Sequence, residues 1–160
     1  NELPAEFDQD MATRAKLEAI RKKVGEMMGI PVSQSIPKIS FIAPAQDFKT
    51  VTGKTVGKND VSMLARVMAM GKMHKTFAIT AGIPAAIGAV LPNSVVNQVV
   101  AGGKPVPAGK EIVIGHPSGM MDIKVEMRME KGQPYIVSCT VGRTARKIMD
   151  GTVFVPASRL

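Results

Sequence analysis

The sequence has 160 residues and a formal net charge of +8 at pH 7, with 45% hydrophobic and 21% charged residues. This length allows a buried core without disulfides or metals, and the ratio of hydrophobic to charged residues excludes wholesale disorder. We therefore predict one domain over residues 1–160. A single cysteine excludes an internal disulfide, and together with the two histidines it gives no plausible zinc-ligand spacing.

The positive charge is compatible with a nucleic acid, an acidic membrane surface or small anions as ligands. Nucleic acid is disfavoured because aromatic residues make up 4% of the chain and the Lys and Arg residues are dispersed. The longest apolar stretch, Phe77–Leu91, is interrupted by Gly82 and Pro84, and no signal-like segment opens the sequence. We therefore expect a cytoplasmic protein without a membrane span.

A first helix is predicted over Asp10–Met28, where apolar residues recur at intervals of three and four. Asp8 and Asp10 are candidate N-terminal caps, and Gly29 is a stop signal. The predicted apolar face carries Leu17, Ile20, Val24 and either Met27 or Met28. The charged positions are expected to form a solvated face, namely Arg14, Lys16, Glu18, Arg21, Lys22, Lys23 and Glu26.

The middle of the chain combines strand and helix signals. A buried strand is predicted at Lys38–Ala43, and an exposed loop or irregular hairpin at Gln46–Asn59. The apolar pattern of Val61–Met70 fits a helix or a strand, and its period does not distinguish them. The run Phe77–Leu91 is rich in alanine, which indicates a buried helix.

The last third of the chain has mainly the pattern of a sheet. Candidate strands are Asn97–Ala101, Glu111–Ile114, Met121–Glu130, Tyr135–Val141 and Thr152–Pro156. The third and fourth of these alternate apolar and polar residues and are predicted to pair as a hairpin across Lys131-Gly132-Gln133. One or two helical turns are expected at Arg143–Met149.

The first candidate site is the segment Gly71–Thr76, at the start of the predicted buried helix. Free backbone N–H groups and the helix dipole favour an anion there, and Lys72, His74 and Lys75 add positive or hydrogen-bonding groups. Such a place suits a carboxylate. The alternative is that both lysines are solvated and that His74 only caps the helix.

The second candidate site is the turn Gly115–Gly119, in which His116 and Ser118 are the functional side chains. Glycine and proline explain most of this motif as turn chemistry, and a ligand-facing turn is the alternative. The pair does not make a nucleophile and base, because no carboxylate is placed to orient the histidine. Cys139 has no nearby charge that would activate it, so we expect an inert buried thiol.

Several segments occur in an order that is similar to a known family. They are Asn1–Glu6, the helix Met11–Met28, Met70–Lys75, Gly115–Gly119 and Gly142–Pro156. In this order and spacing the sequence resembles the carboxy-terminal half of the family that includes 2-methylaconitate cis-trans isomerase, methylitaconate isomerase and 4-oxalomesaconate tautomerase. The resemblance covers almost the whole chain, although no single motif is very specific.

The resemblance implies an α+β fold, namely one lobe of a diaminopimelate epimerase-like fold with a curved, mostly antiparallel sheet around a central apolar helix. Val61–Met70 is then a strand, and the central helix begins near His74. The active site of such a fold lies between two lobes, and the amino ends of their central helices point into the cleft. The chain is accordingly expected to be the carboxy-terminal lobe, without the amino-terminal one.

The implied reaction isomerises or tautomerises a small unsaturated di- or tricarboxylate by removing a proton and returning it at the same or an allylic position. No cofactor or metal is expected. The acid and base, thought to be a lysine and a cysteine in family members, belong to the amino-terminal lobe, so no catalytic residue is expected in this chain. The resemblance assigns substrate binding to Lys72, Met73, His74, Lys75, His116, Ser118 and Gly119.

The partners implied by this hypothesis are the carboxylate substrate and the amino-terminal lobe. An apolar face that this lobe leaves uncovered would also allow a homodimer. Two other functions stay open at this point. The domain is alternatively a non-catalytic binder of anions or proteins, and a nucleic-acid binder would show an affinity that falls steeply with salt.

Overall fold

The computed structural model describes residues 2–107, 109–143 and 145–159. Its helices are α1 (Pro4–Phe7), α2 (Met11–Met27), α3 (Ile79–Val90) and α4 (Val95–Ala101). Its strands are β1 (Ile39–Pro44), β2 (Phe48–Lys49), β3 (Thr55–Val56), β4 (Met63–Ala69), β5 (Lys72–Met73), β6 (Glu111–His116), β7 (Gly119–Glu130) and β8 (Gln133–Val141). Short 3₁₀ turns lie at Lys58–Asp60 and Ala157–Arg159.

Six strands of the described chain form one sheet in the order β1-β4-β6-β7-β8, with β5 paired to the end of β4. All of these pairs are antiparallel except β4 and β6, which run parallel with Met63 opposite Ile114 and Leu64 opposite Gly115. Strands β2 and β3 make a separate antiparallel pair. The sheet is therefore mostly antiparallel, as predicted, and Val61–Met70 contributes a strand.

The sheet curls around α3, and the main core lies between them. Inward-facing residues of β4, β6 and β7 pack with the alanines of this helix. Small residues let the helix and the sheet approach closely, since a Cβ atom at Gly82 would lie 2.9 Å from the sulfur of Met121. The predicted central apolar helix is thus confirmed, although it begins at Ile79 and not near His74, because Ala78 is the N-cap.

Helix α2 is confirmed, and the side chain of Asp10 caps it by accepting a 2.9 Å hydrogen bond from the Thr13 N–H. The prediction of its faces is wrong in part. Arg21, expected on the solvated face, is 5% exposed, whereas Met27 is 77% exposed. The reason is tertiary, since Arg21 lies against the segment that follows the helix and donates to the carbonyls of Ile36 and Pro37.

Two hairpins follow the predictions. The connection between β7 and β8 consists of Lys131 and Gly132, with φ angles of 49° and 79°, which is the pattern of a type I′ turn. The segment Gln46–Asn59 contains the β2–β3 hairpin, and its Phe48 side chain is buried. No single helix in the described ranges is long and apolar enough to cross a membrane, and only α3 with α4, bent by 69°, passes as a pair.

Three predictions in the last third of the chain are wrong. Asn97–Ala101 lies in helix α4, because the Ser94 hydroxyl caps the N–H of Asn97 and Gly102 ends the helix in a left-handed conformation. The described part of Arg143–Met149 is not helical, and Thr152–Pro156 is not a strand. Neither segment packs against the sheet, and Phe154 is 91% exposed, so no tertiary contact stabilises a short element there. Thr144 lies outside the described residues.

Candidate functional site

The structure brings the two candidate segments together. The Ser118 hydroxyl donates a 2.6 Å hydrogen bond to the backbone carbonyl of Lys75, although the two residues are 43 positions apart. His116 and Gly119 are paired at the ends of β6 and β7, so Pro117 and Ser118 form a two-residue connection. We call Gly71–Thr76 the helix-mouth segment and Gly115–Gly119 the turn. One hydrogen bond thus ties the turn to the helix-mouth segment.

No side chain of the described residues caps the amino end of α3. Among the described residues, the backbone N–H groups of Ile79 and Thr80 have no backbone partner, as is normal in the first turn of a helix. His74 does not cap this end, because its Nδ1 atom accepts a 3.1 Å hydrogen bond from the N–H of Thr76 and lies 3.1 Å from the Thr76 hydroxyl. The helix dipole therefore acts on an uncapped end.

The residues of the helix-mouth segment point in different directions. Lys72 and Lys75 are exposed, and His74 is half-buried. The Met73 side chain is buried and packs with Phe7 and Met68, while its N–H donates a 2.9 Å hydrogen bond to the Asp8 carboxylate. The side chain of Met73 thus serves packing, whereas Lys72, Lys75 and Thr76 present exposed polar side chains and His74 is partly exposed.

His116 is 7% exposed, and its Nδ1 atom accepts a 3.2 Å hydrogen bond from the Ser118 N–H. Burial lowers the pKa of His116 below its ordinary value of 6.5, and a hydrogen bond with the Met120 backbone opposes this shift. The positive charges of Arg66 and His74 lower it further. At pH 7 the imidazole is neutral, so it acts through its polar ring nitrogens and not as a cation.

One residue near the site was missed by sequence analysis. Arg66, in the middle of β4, is 4% exposed and donates through Nη1 to the carbonyls of Ala65 at 3.0 Å and Gly115 at 3.4 Å. Gly115 is the first residue of the turn. The available signal was a lone charged residue in a strand that is otherwise apolar on both faces.

The remaining candidates are less informative. In the described ranges no group of three or more His, Cys, Asp or Glu residues could hold a metal ion. Cys139 is half-buried beside the main core, and burial raises the pKa of its thiol, as expected for an inert cysteine. A cavity of about 560 Å³ lies between β1, α3 and α4, and none of the seven predicted site residues lines it.

A curved, mostly antiparallel sheet around a central apolar helix is the architecture of the diaminopimelate epimerase-like class. A solved structure of this class, described as a methylitaconate-delta-isomerase, matches the fold with a TM-score of 0.77 and 29% identity. The match covers 96% of this chain and 40% of that one. The chain belongs to the PrpF protein family, whose model matches residues 1–156.

Relatives of this family are named isomerases. The chain is 34% identical to a 2-methyl-aconitate isomerase of Shewanella oneidensis, over 97% of this chain and 40% of the relative. It is 33% identical to a (4E)-oxalomesaconate Delta-isomerase of a Novosphingobium species, over 93% of this chain and 38% of the relative. The chain therefore spans about two fifths of the length of these relatives, and the resemblance predicted from its motifs is confirmed.

Proposed function

We propose that this chain is the substrate-binding lobe of an isomerase that acts on small unsaturated di- or tricarboxylates of the 2-methylaconitate, methylitaconate or oxalomesaconate type. The observation that carries this proposal is the hydrogen bond from the Ser118 hydroxyl to the carbonyl of Lys75, which joins the turn to the segment that leads into α3. The two joined segments carry two exposed lysines and two histidines, and the uncapped helix end that follows favours carboxylates. The names of the relatives support this substrate class.

The proposed binding mode uses charge for the carboxylates and neutral donors for orientation. Lys72 and Lys75 supply mobile cations, and the N–H groups at the start of α3 supply fixed donors. His116 and Ser118 are held in the turn by hydrogen bonds within the protein, so their positions are defined before a ligand arrives. Gly119, at a φ of 144°, allows the strand to leave the turn at the binding site.

The proposed reaction needs no cofactor. A base removes a proton beside the unsaturated carboxylate, the negative charge spreads over the conjugated system, and a proton returns at the same or an allylic carbon. The cations and helix end of this lobe stabilise that charge as it develops. We place the acid and base outside these 160 residues, because no described pair in the site combines a proton acceptor with an activated donor.

Binding is tested with tricarballylate, a saturated tricarboxylate, by titration calorimetry of this chain. The variants K75Q and H74Q should each weaken binding about tenfold, because each removes a contact to a charged ligand. Lys58 is exposed and lies in a 3₁₀ turn away from the site, so K58Q is the matched control for loss of one positive charge. If K58Q and K75Q lose the same tricarballylate affinity, the lysines attract the ligand only through the net charge of the protein, and the proposed site is wrong.

Catalysis is tested by solvent deuterium incorporation into 2-methylaconitate, methylitaconate and oxalomesaconate. The chain alone should give no exchange, and exchange should begin when the remaining part of a homologous isomerase is added. Exchange by the chain alone would show that the acid and base lie in this chain. His74, Lys75 and His116 would then be the candidates for these two roles. Carboxylate binding without exchange in either sample would favour the alternative of a non-catalytic anion-binding domain.

The second lobe is also the proposed partner for apolar surface on this chain. Exposed apolar side chains lie in the segment after β8 and include Ile148, Met149, Val153 and Phe154. We expect the second lobe to cover them, with a homodimer as the outcome when it is absent. Sedimentation of the chain alone and with the second lobe distinguishes these states. A reducing cytoplasm remains the expected location, in line with the single free cysteine.

A further inference from the structure

Arg66 is a buried charge without a complete set of partners. Its Nε atom donates to the carbonyl of Glu2 at 3.2 Å, and Nη1 donates to the carbonyls of Ala65 and Gly115. Nη2 is buried and has no hydrogen-bond partner among the described residues. Burial lowers the pKa of Arg66, and the attraction of Glu2 opposes this only in part. Such a group is costly in a protein interior and calls for a functional explanation.

The surroundings of Arg66 connect it to the turn. The side chain faces away from α3, between one apolar cluster that contains Phe48 and Leu64 and another that contains Met68. The Phe48 ring centre lies 5.9 Å from the guanidinium carbon. A Cβ atom at Gly115 would come within 2.6 Å of Leu64 and 2.8 Å of Phe48. Gly115 therefore packs directly against Leu64 and Phe48, which flank Arg66.

We propose that Arg66 is a positioning residue of the substrate-binding site. Its guanidinium holds the turn in place through the hydrogen bond to the Gly115 carbonyl and adds a positive charge next to His116. This inference rests on the proposed function. The charge is effective because it is buried and the attraction of Glu2 compensates it only in part. Arg66 acts through the turn, because its buried Nη2 atom is not open to a ligand.

The test compares R66M and R66K with R21M in this chain. Met replaces much of the volume of Arg66 without its charge, and Lys keeps the charge but lacks the planar guanidinium whose separate nitrogens reach the carbonyls of Glu2, Ala65 and Gly115. Arg21 is equally buried and also donates to backbone carbonyls, but it lies on α2 away from the turn. It is the matched control for loss of a buried arginine.

Tricarballylate affinity should fall about tenfold or more in R66M and less in R66K. The melting temperature of R66M should change by no more than about 4 °C, because removal of an incompletely paired buried charge offsets the lost hydrogen bonds. R21M should melt at a lower temperature and keep its affinity. Unchanged affinity in R66M, or the same affinity loss in R21M, would overturn the positioning role.

A second readout is the NMR titration of the His116 ring in histidine-labelled protein. The charged groups that act on this ring are Arg66 from β4 and His74 from the helix-mouth segment, with Glu2 acting on Arg66. In R66M the ring signals should shift and the titration midpoint should rise, because one positive charge is removed. If R66M does not fold, R66K gives the decisive spectrum, in which unchanged His116 signals would contradict the proposal.

The two readouts separate this inference from the proposed function. If the wild-type chain binds no tricarballylate, the substrate-binding proposal fails, and the His116 spectra alone decide whether Arg66 positions the turn. If the wild-type chain and the Arg66 variants bind tricarballylate equally well, the proposed function is supported and the positioning role of Arg66 is wrong.

Discussion

The two buried arginines of this protein, Arg21 and Arg66, differ in how their positive charges are compensated. Arg21 on α2 pairs with the Glu18 carboxylate at 2.7 Å and fills its remaining donors with the carbonyls of Ile36 and Pro37. Arg66 on β4 donates only to backbone carbonyls and forms no ion pair with a carboxylate among the described residues. Its Nη2 atom has no hydrogen-bond partner there. The two side chains are 5% and 4% exposed, so burial alone does not distinguish them.

Their pKa shifts run in opposite directions. The hydrogen bonds that Arg21 donates to the Glu18 carboxylate raise the pKa of Arg21 above its ordinary value, whereas burial lowers the pKa of Arg66. A paired buried charge stabilises the fold around it, and an incompletely paired one reduces stability while it strengthens the local field. We therefore associate Arg21 with structure and Arg66 with the site.

The largest expected effect is the stability difference between R21M and R66M. R21M should lose about 2 kcal/mol of unfolding free energy, because it removes an ion pair and two hydrogen bonds to backbone carbonyls. R66M should change it by less than about 1 kcal/mol. Urea unfolding at pH 7 measures both values with matched m-values. Equal losses in the two variants would remove the distinction between the arginines.

The next effect concerns the carboxylate partner of Arg21. E18Q should cost about 1 kcal/mol, a value reduced by solvent screening because Glu18 is 38% exposed. The hydrogen bond from Arg21 lowers the pKa of Glu18, so the stabilisation is present above the ordinary value of 4.5 and disappears as the pH falls below it. Unfolding curves for wild type and E18Q should therefore converge at acidic pH. A constant difference down to pH 3 would contradict the ion-pair account.

A smaller effect is expected from His116 near the site. Because its folded pKa lies below 6.5, the unfolded chain binds more protons between the two pKa values, and stability falls as the pH drops below about 6.5. The loss from this group should accumulate from about pH 6.5 downwards, because the folded pKa is the lower of the two. H116Q should flatten that part of the profile. A profile that H116Q leaves unchanged would show that His116 is not the titrating group.

The smallest effect is expected for the link between the turn and the helix-mouth segment. S118A removes the hydrogen bond to the Lys75 carbonyl and should cost about 0.5 to 1 kcal/mol, since the bond is exposed. Tricarballylate binding should weaken more than this stability loss suggests, because the two halves of the site lose their connection. The exposed Ser33, whose hydroxyl lies 3.4 Å from that of Ser35, provides the control variant S33A.

Sequence patterns predicted local elements well where the signals were local. The Asp10 cap, the Lys131-Gly132 turn and the alternation in β7 each depend on residues that are close in the chain. The prediction of a strand at Asn97–Ala101 is wrong, because the Ser94 cap and the left-handed Gly102 favour the helix observed. The family resemblance was found from the order of motifs, and it supplied the fold.

The sequence by itself determined the family, the strand and helix at the centre of the core, and the two segments that meet at the site. The tertiary structure alone decided which polar residues are buried. Arg21 and Arg66 are ordinary charged residues in the sequence, and their roles depend on carbonyls 15 and 49 positions away. Periodicity describes one element at a time, so it cannot anticipate a partner that packing brings from elsewhere in the chain.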